Sequence, residues 1–136
     1  MKHIALDTNA YSAFKCGNND IIEIIQYADT INVSSIVIGE LFAGFAIGTK
    51  EKNNKKELVE FLNTDRCQVI AVDQNTTIYY AHIYKLLRQK GTPIPTNDLW
   101  IAALAMQHGH MLCTLDKHFT CIDNLLICTQ LSHILA

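Results

Sequence analysis

"HIALD", His3 to Asp7, is a short apolar run that stops on an acid. The pattern returns in "CQVIAVD" (Cys67–Asp73) and in "HMLCTLD" (His110–Asp116). Runs this short that barely alternate mark strands buried on both faces. "INVSS" (Ile31–Ser35) and "NLLICT" (Asn124–Thr129) read as further strands. Between them the apolar spacing becomes helical. "NDIIEIIQYA" (Asn19–Ala28) starts near Asn19 or Asp20, and "SIVIGELFAGFAIG" (Ser35–Gly48) has Ser35 as its cap. "KEKNNKKELVEFLN" (Lys50–Asn63) reads as a charged loop running into an amphipathic helix. "NTTIYYAHIYKLLRQKG" (Asn75–Gly91) is closed by Gly91, and the helix begun by "TNDLWIAALA" (Thr96–Ala105) ends at Gly109. Strands separated by helices predict an α/β fold with a mainly parallel central sheet of about five strands.

Composition narrows the class. The chain has 136 residues, enough for one domain (1–136) with a real core, and 49% of them are apolar against 18% charged. No apolar run approaches the roughly 18 residues of a membrane span. The start "MKHIALD" reaches an acid at position 7, unlike a secretory signal, so the expected location is the cytoplasm. The five cysteines form no CxxC pair and read as reduced, mostly buried side chains. His108, His110 and Cys113 lie close together, but their spacing matches no standard zinc finger and no second ligand pair follows. A net charge of −2 argues against a strongly basic nucleic-acid binder. Local basic clusters remain at Lys50, Lys52, Lys55 and Lys56, and at Lys85, Arg88 and Lys90, where the simplest reading is a solvated helix face.

In an open parallel sheet, sites lie in the crevice beyond the carboxyl ends of the strands. Asp7, Asp73 and Asp116 all qualify by that rule, while Glu40 and Asp98 come from helices. Each acid taken singly has an ordinary structural use. Asp7 can cap a following helix, Asp116 can serve a turn, and Asp98 suits a first helical turn behind Thr96 or Asn97 as N-cap. Glu40 is the lone charge between Ile36 and Ile47. It must reach water, a cation or a hydrogen bond, because an unpaired buried carboxylate costs on the order of several kcal/mol. Carboxylates converging on one sheet edge repel one another unless a cation joins them. Oxygen ligands without His or Cys favour Mg²⁺ or Mn²⁺, ions suited to phosphodiester hydrolysis.

The segments "LDTNAY" (Leu6–Tyr11), "SSIVIGELFAG" (Ser34–Gly44), "PTNDLWIAALA" (Pro95–Ala105) and "LCTLDKHF" (Leu112–Phe119) occur in this order. With them the chain resembles the PIN-domain ribonucleases, and most of all the VapC-type toxins of bacterial toxin–antitoxin pairs. The resemblance implies a three-layer α/β/α fold and a site built from Asp7, Glu40, Asp98 and Asp116, leaving Asp73 as a loop or cap residue. It implies Mg²⁺ or Mn²⁺ as cofactor, with Asp7 and Asp98 as principal ligands. Glu40 would help hold metal or position water, and Asp116 would complete the cluster. Thr8, Asn9 and Thr114 match neighbouring polar positions that orient carboxylates or substrate phosphate, ordinary capping bonds being the alternative. The implied substrate is RNA, commonly tRNA or ribosomal RNA, and the implied partners are a small antitoxin protein and a second copy of the chain in a homodimer. The apolar surplus of "ELFAGFAIG", with Phe42 and Phe45, suits a core, a dimer contact or an antitoxin. Trp100, Ile101 and Leu104 are the expected anchors of the helix behind Asp98. A PIN nuclease of RNA processing and a catalytically silent binding protein are the competing readings. A receiver-like signalling domain would need paired acids after the first strand, where "LDTN" supplies one.

Overall fold

The computed structural model describes residues 2–135. Five strands form one sheet in the order β3-β2-β1-β4-β5, and every neighbouring pair is parallel. They are β1 (His3–Leu6), β2 (Thr30–Ser34), β3 (Cys67–Ile70), β4 (Met111–Cys113) and β5 (Ile127–Cys128). The helices are α1 (Thr8–Lys15), α2 (Asn19–Tyr27), α3 (Ser35–Ile47), α4 (Glu51–Leu62), α5 (Gln74–Lys90), α6 (Thr96–His108) and α7 (Ser132–Leu135), with a 3-10 turn at Lys117–Cys121. The expected three-layer α/β/α architecture is therefore present. The β1–β2 and β2–β3 connections step one way across the sheet, and the β3–β4 connection steps back. Right-handed crossovers then place α1 to α4 on one face and α5 with α6 on the other.

Because the order reverses at β1, a crevice opens beyond the ends of β1 and β4. The central strands bury side chains on both faces, Ile31, Asn32, Val33 and Ser34 on β2 among them. The layer behind β1 is made by α6, where Leu99, Ile101, Ala102, Ala103, Leu104 and Ala105 are all buried. Three alanines let this helix sit close to its neighbours. Ile101 and Leu104 anchor it as expected, whereas Trp100 is half-buried and packs on Tyr80 of α5 at a ring separation of 4.1 Å.

Several helix starts differ from the sequence reading, each for a local reason. The cap of α3 is Ser34, because its Oγ accepts the Val37 N–H three residues on at 3.1 Å. Helix α2, by contrast, begins at Asn19 as the sequence reading had it, with Asn18 capping it through the Ile21 N–H at 3.2 Å. Pro95, with extended backbone, precedes α6 and offers its carbonyl to the Leu99 N–H at 3.1 Å, so neither Thr96 nor Asn97 is the cap. The charged segment from Glu51 is already helical, carried by the Glu51–Lys55 ion pair at 3.5 Å and the Asn53–Glu57 hydrogen bond at 3.0 Å. Gly91 and Gly109 end α5 and α6 in the left-handed conformation, at φ 72° and 68°.

Candidate active site

The end of β1 delivers Asp7, which is 4% exposed. Its backbone N–H bonds the Cys113 carbonyl at 3.0 Å, continuing the β1–β4 ladder to the lip of the crevice. Its carboxylate has two donors: the Thr8 N–H at 2.8 Å, as N-cap of α1, and the Thr114 hydroxyl at 2.6 Å. Asp7 thus caps α1 and also presents its carboxylate at the lip of the crevice. Burial pushes its pKa up; the Thr114 and Thr8 bonds pull against that, and the charges of Asp98 and Glu40 push the same way as burial.

Glu40 leaves α3 toward the same place. The Thr8 hydroxyl donates to its Oε1 at 2.7 Å, and the Asn97 amide reaches Oε2 at 3.4 Å. Asp98, in the first turn of α6, has its pKa raised by burial first, then by Asp116 and Glu40, with His118 opposing. The positive end of the α6 backbone favours a carboxylate in that turn. Asp116 caps the 3-10 turn, accepting the His118 N–H at 2.9 Å. Asn9 Oδ1 accepts the Leu115 N–H at 3.0 Å and so pins α1 to the loop after β4. Thr114 is buried and has two roles at once, donating to Asp7 while accepting the Asp116 N–H at 3.0 Å.

Segments more than a hundred residues apart therefore bring Asp7, Glu40, Asp98 and Asp116 to one sheet edge, together with Thr8, Asn9 and Thr114. Asp73 lies elsewhere: it caps α5 in a reciprocal box with Thr76 and accepts the Gln107 amide at 3.0 Å. These bonds hold its carboxyl below the ordinary range, Gln107 having the largest effect. His118, not singled out from the sequence, reaches Asp116 Oδ1 with Nδ1 at 3.2 Å and Asp98 Oδ2 at 3.4 Å. Its only sequence signal is its place two residues after Asp116. Among the described residues, no Lys or Arg forms an ion pair with any of the four acids.

Asp7 is buried and Glu40, Asp98 and Asp116 are half-buried. Mutually repelling carboxylates with His118 beside two of them, and no Lys or Arg paired to any among the described residues, suit a divalent cation. Asp98, Asp116 and His118 each offer a ligand atom within 4.8 Å of the others. The oxygen-dominated donor set matches Mg²⁺ or Mn²⁺.

Fold and site together define a PIN domain. The PIN-domain profile matches residues 4–125, and the chain belongs to that family. Within it, the chain is similar to Ribonuclease VapC2 of Rickettsia felis, 36% identical over 107 residues that cover 78% of each protein. A crystal structure of VapBC2 from Rickettsia felis bound to a promoter DNA fragment superposes with a TM-score of 0.81 at 32% identity, covering 91% of this chain and 96% of the matched one. DNA-bound VapBC from Salmonella typhimurium gives a TM-score of 0.82 at 27% identity, covering 93% and 97%.

Proposed function

We propose that this chain, as a single PIN domain over residues 1–136, is a Mg²⁺- or Mn²⁺-dependent endoribonuclease and the toxin of a toxin–antitoxin pair. The observation that carries this reading is the convergence of Asp7, Glu40, Asp98 and Asp116 with no Lys or Arg paired to any of them among the described residues. The names of the relatives support the ribonuclease reading, and the VapBC complexes support a small antitoxin as partner. A homodimer is part of the proposal. So is a cytoplasmic location, consistent with no helix among the described residues being long and apolar enough to cross a membrane.

Asp7 and Asp98 are the principal residues that would hold the cation, with Glu40 and Asp116 completing the cluster. When bound, a divalent ion supplies an acidified water and neutralises charge on the phosphate. The chain's own residues set the geometry for that. Thr114 fixes the face that Asp7 presents, Thr8 and Asn97 hold the Glu40 carboxylate, and Asn9 keeps the Thr114 loop against α1. The substrate proposed is structured RNA, tRNA or ribosomal RNA. Lys52, Lys56, Lys85 and Arg88 are exposed and form no ion pair among the described residues, which leaves them for phosphate contacts despite the net charge of −2.

The test is cleavage of purified tRNA and ribosomal RNA with and without divalent ion. Cleavage should stop with chelator and fall by about a hundredfold or more in Asp98→Asn with the fold retained. Activity of that variant equal to the parent would sink the assignment. Growth arrest on induction, relieved by a small co-expressed partner, separates a toxin from an RNA-processing nuclease.

A further inference from the structure

The sequence reading placed only oxygen donors at the metal, and the structure adds a nitrogen. His118 Nδ1 stands 3.2 Å from Asp116 Oδ1 and 3.4 Å from Asp98 Oδ2. Both separations are long for charge-assisted hydrogen bonds, which run about 2.7–2.9 Å. They are close to another spacing. An octahedral ion with ligands at about 2.1 Å holds neighbouring donor atoms about 3 Å apart. The ring is aimed by its own backbone, since the His118 N–H is bonded to the same Asp116 oxygen at 2.9 Å. Asp116 caps a tight turn and so sets both the main chain and the direction of the imidazole.

Resting on the metal-dependent reading above, we propose that His118 is a metal ligand through Nδ1, and that it tilts the site toward Mn²⁺ over Mg²⁺. Imidazole nitrogen is a better ligand for first-row transition ions than for Mg²⁺, which prefers oxygen. A site of carboxylates alone has no such bias. The competing role for His118 is a countercharge that makes no bond to metal.

Pulsed electron paramagnetic resonance on the full chain with Mn²⁺ distinguishes these roles without reference to catalysis. The bound ion should show modulation from a directly coordinated imidazole ¹⁴N, lost in His118→Ala. Mn²⁺ binding should weaken about tenfold or more in that variant, with Mg²⁺ binding changed about threefold or less. Labelling the unmutated chain with ¹⁵N-histidine should replace the pattern, a readout that needs no variant to fold. Absence of nitrogen modulation in the parent, its persistence in His118→Ala, or failure to bind Mn²⁺ would each overturn the inference. RNA cleavage without a nitrogen signal removes the His118 assignment and leaves the ribonuclease reading. A nitrogen signal with no RNA cleaved does the reverse.

Discussion

The Thr114 hydroxyl donates to Asp7 Oδ2 at 2.6 Å, joining residues 107 positions apart in sequence. The same oxygen accepts the Asp116 N–H at 3.0 Å, so one buried hydroxyl sets two of the four acids. Thr114→Val keeps the shape and removes both bonds. It should cost about 1–3 kcal/mol, the usual penalty for stranding buried polar groups, seen as a lower urea midpoint. RNA cleavage should fall further than that loss of folded protein explains.

The second prediction concerns pH. Asp7 and Asp98 have pKa values raised by burial and by neighbouring acids. A carboxyl raised in the folded state favours folding when protonated, and that advantage is lost as pH rises from the unfolded value through the folded one. Metal-free protein should therefore gain stability from these two groups on acidification from neutral pH. Asp98→Asn should raise the metal-free melting temperature at pH 7.5, by the equivalent of about 0.5–2 kcal/mol. Added Mn²⁺ should raise the parent's melting temperature more at pH 7.5 than at pH 5.5, because protons compete for the same oxygens.

Asp73 supplies the contrasting case. Its capping box starts α5 and involves none of the four site acids. Asp73→Ala should cost about 0.5–2 kcal/mol in a denaturation curve and leave RNA cleavage by the folded enzyme unchanged. A hundredfold loss of cleavage would place Asp73 in the site after all.

Close packing of α6 makes a fourth prediction. Ala103 is fully buried on the helix that carries Asp98. Ala103→Leu should destabilise by about 1–3 kcal/mol in thermal melts. Metal affinity should fall as well, since the strained helix carries Asp98 at its first turn.

Much of this was legible from residues alone. Apolar runs ending on Asp7 and just before Asp116 located the sheet edge, and Gly91 and Gly109 marked two helix ends. What escaped notice depended on side-chain direction and short range. α1 spans only eight residues and follows Asp7 at once, so it offered too short a stretch for its spacing to be read. Ser34 and Ser35 are both plausible caps, and only the bond to Val37 separates them. His118 sits on a 3-10 turn, where neither helical nor strand periodicity says which way a ring points. Three strand-end acids obeyed one rule; the family resemblance already left Asp73 as a loop or cap residue, and its box with Thr76 makes it the cap of α5.

The sheet order has a consequence for synthesis. On the side of β1 away from β2, the partner is β4, made more than a hundred residues later. Until then the strand bearing Asp7 has an open edge, and its carboxylate lacks the Thr114 hydroxyl. A growing chain thus carries pieces of a nuclease without being one. On the proposed function, the ribosome making this protein faces no danger from it before the fourth strand has docked.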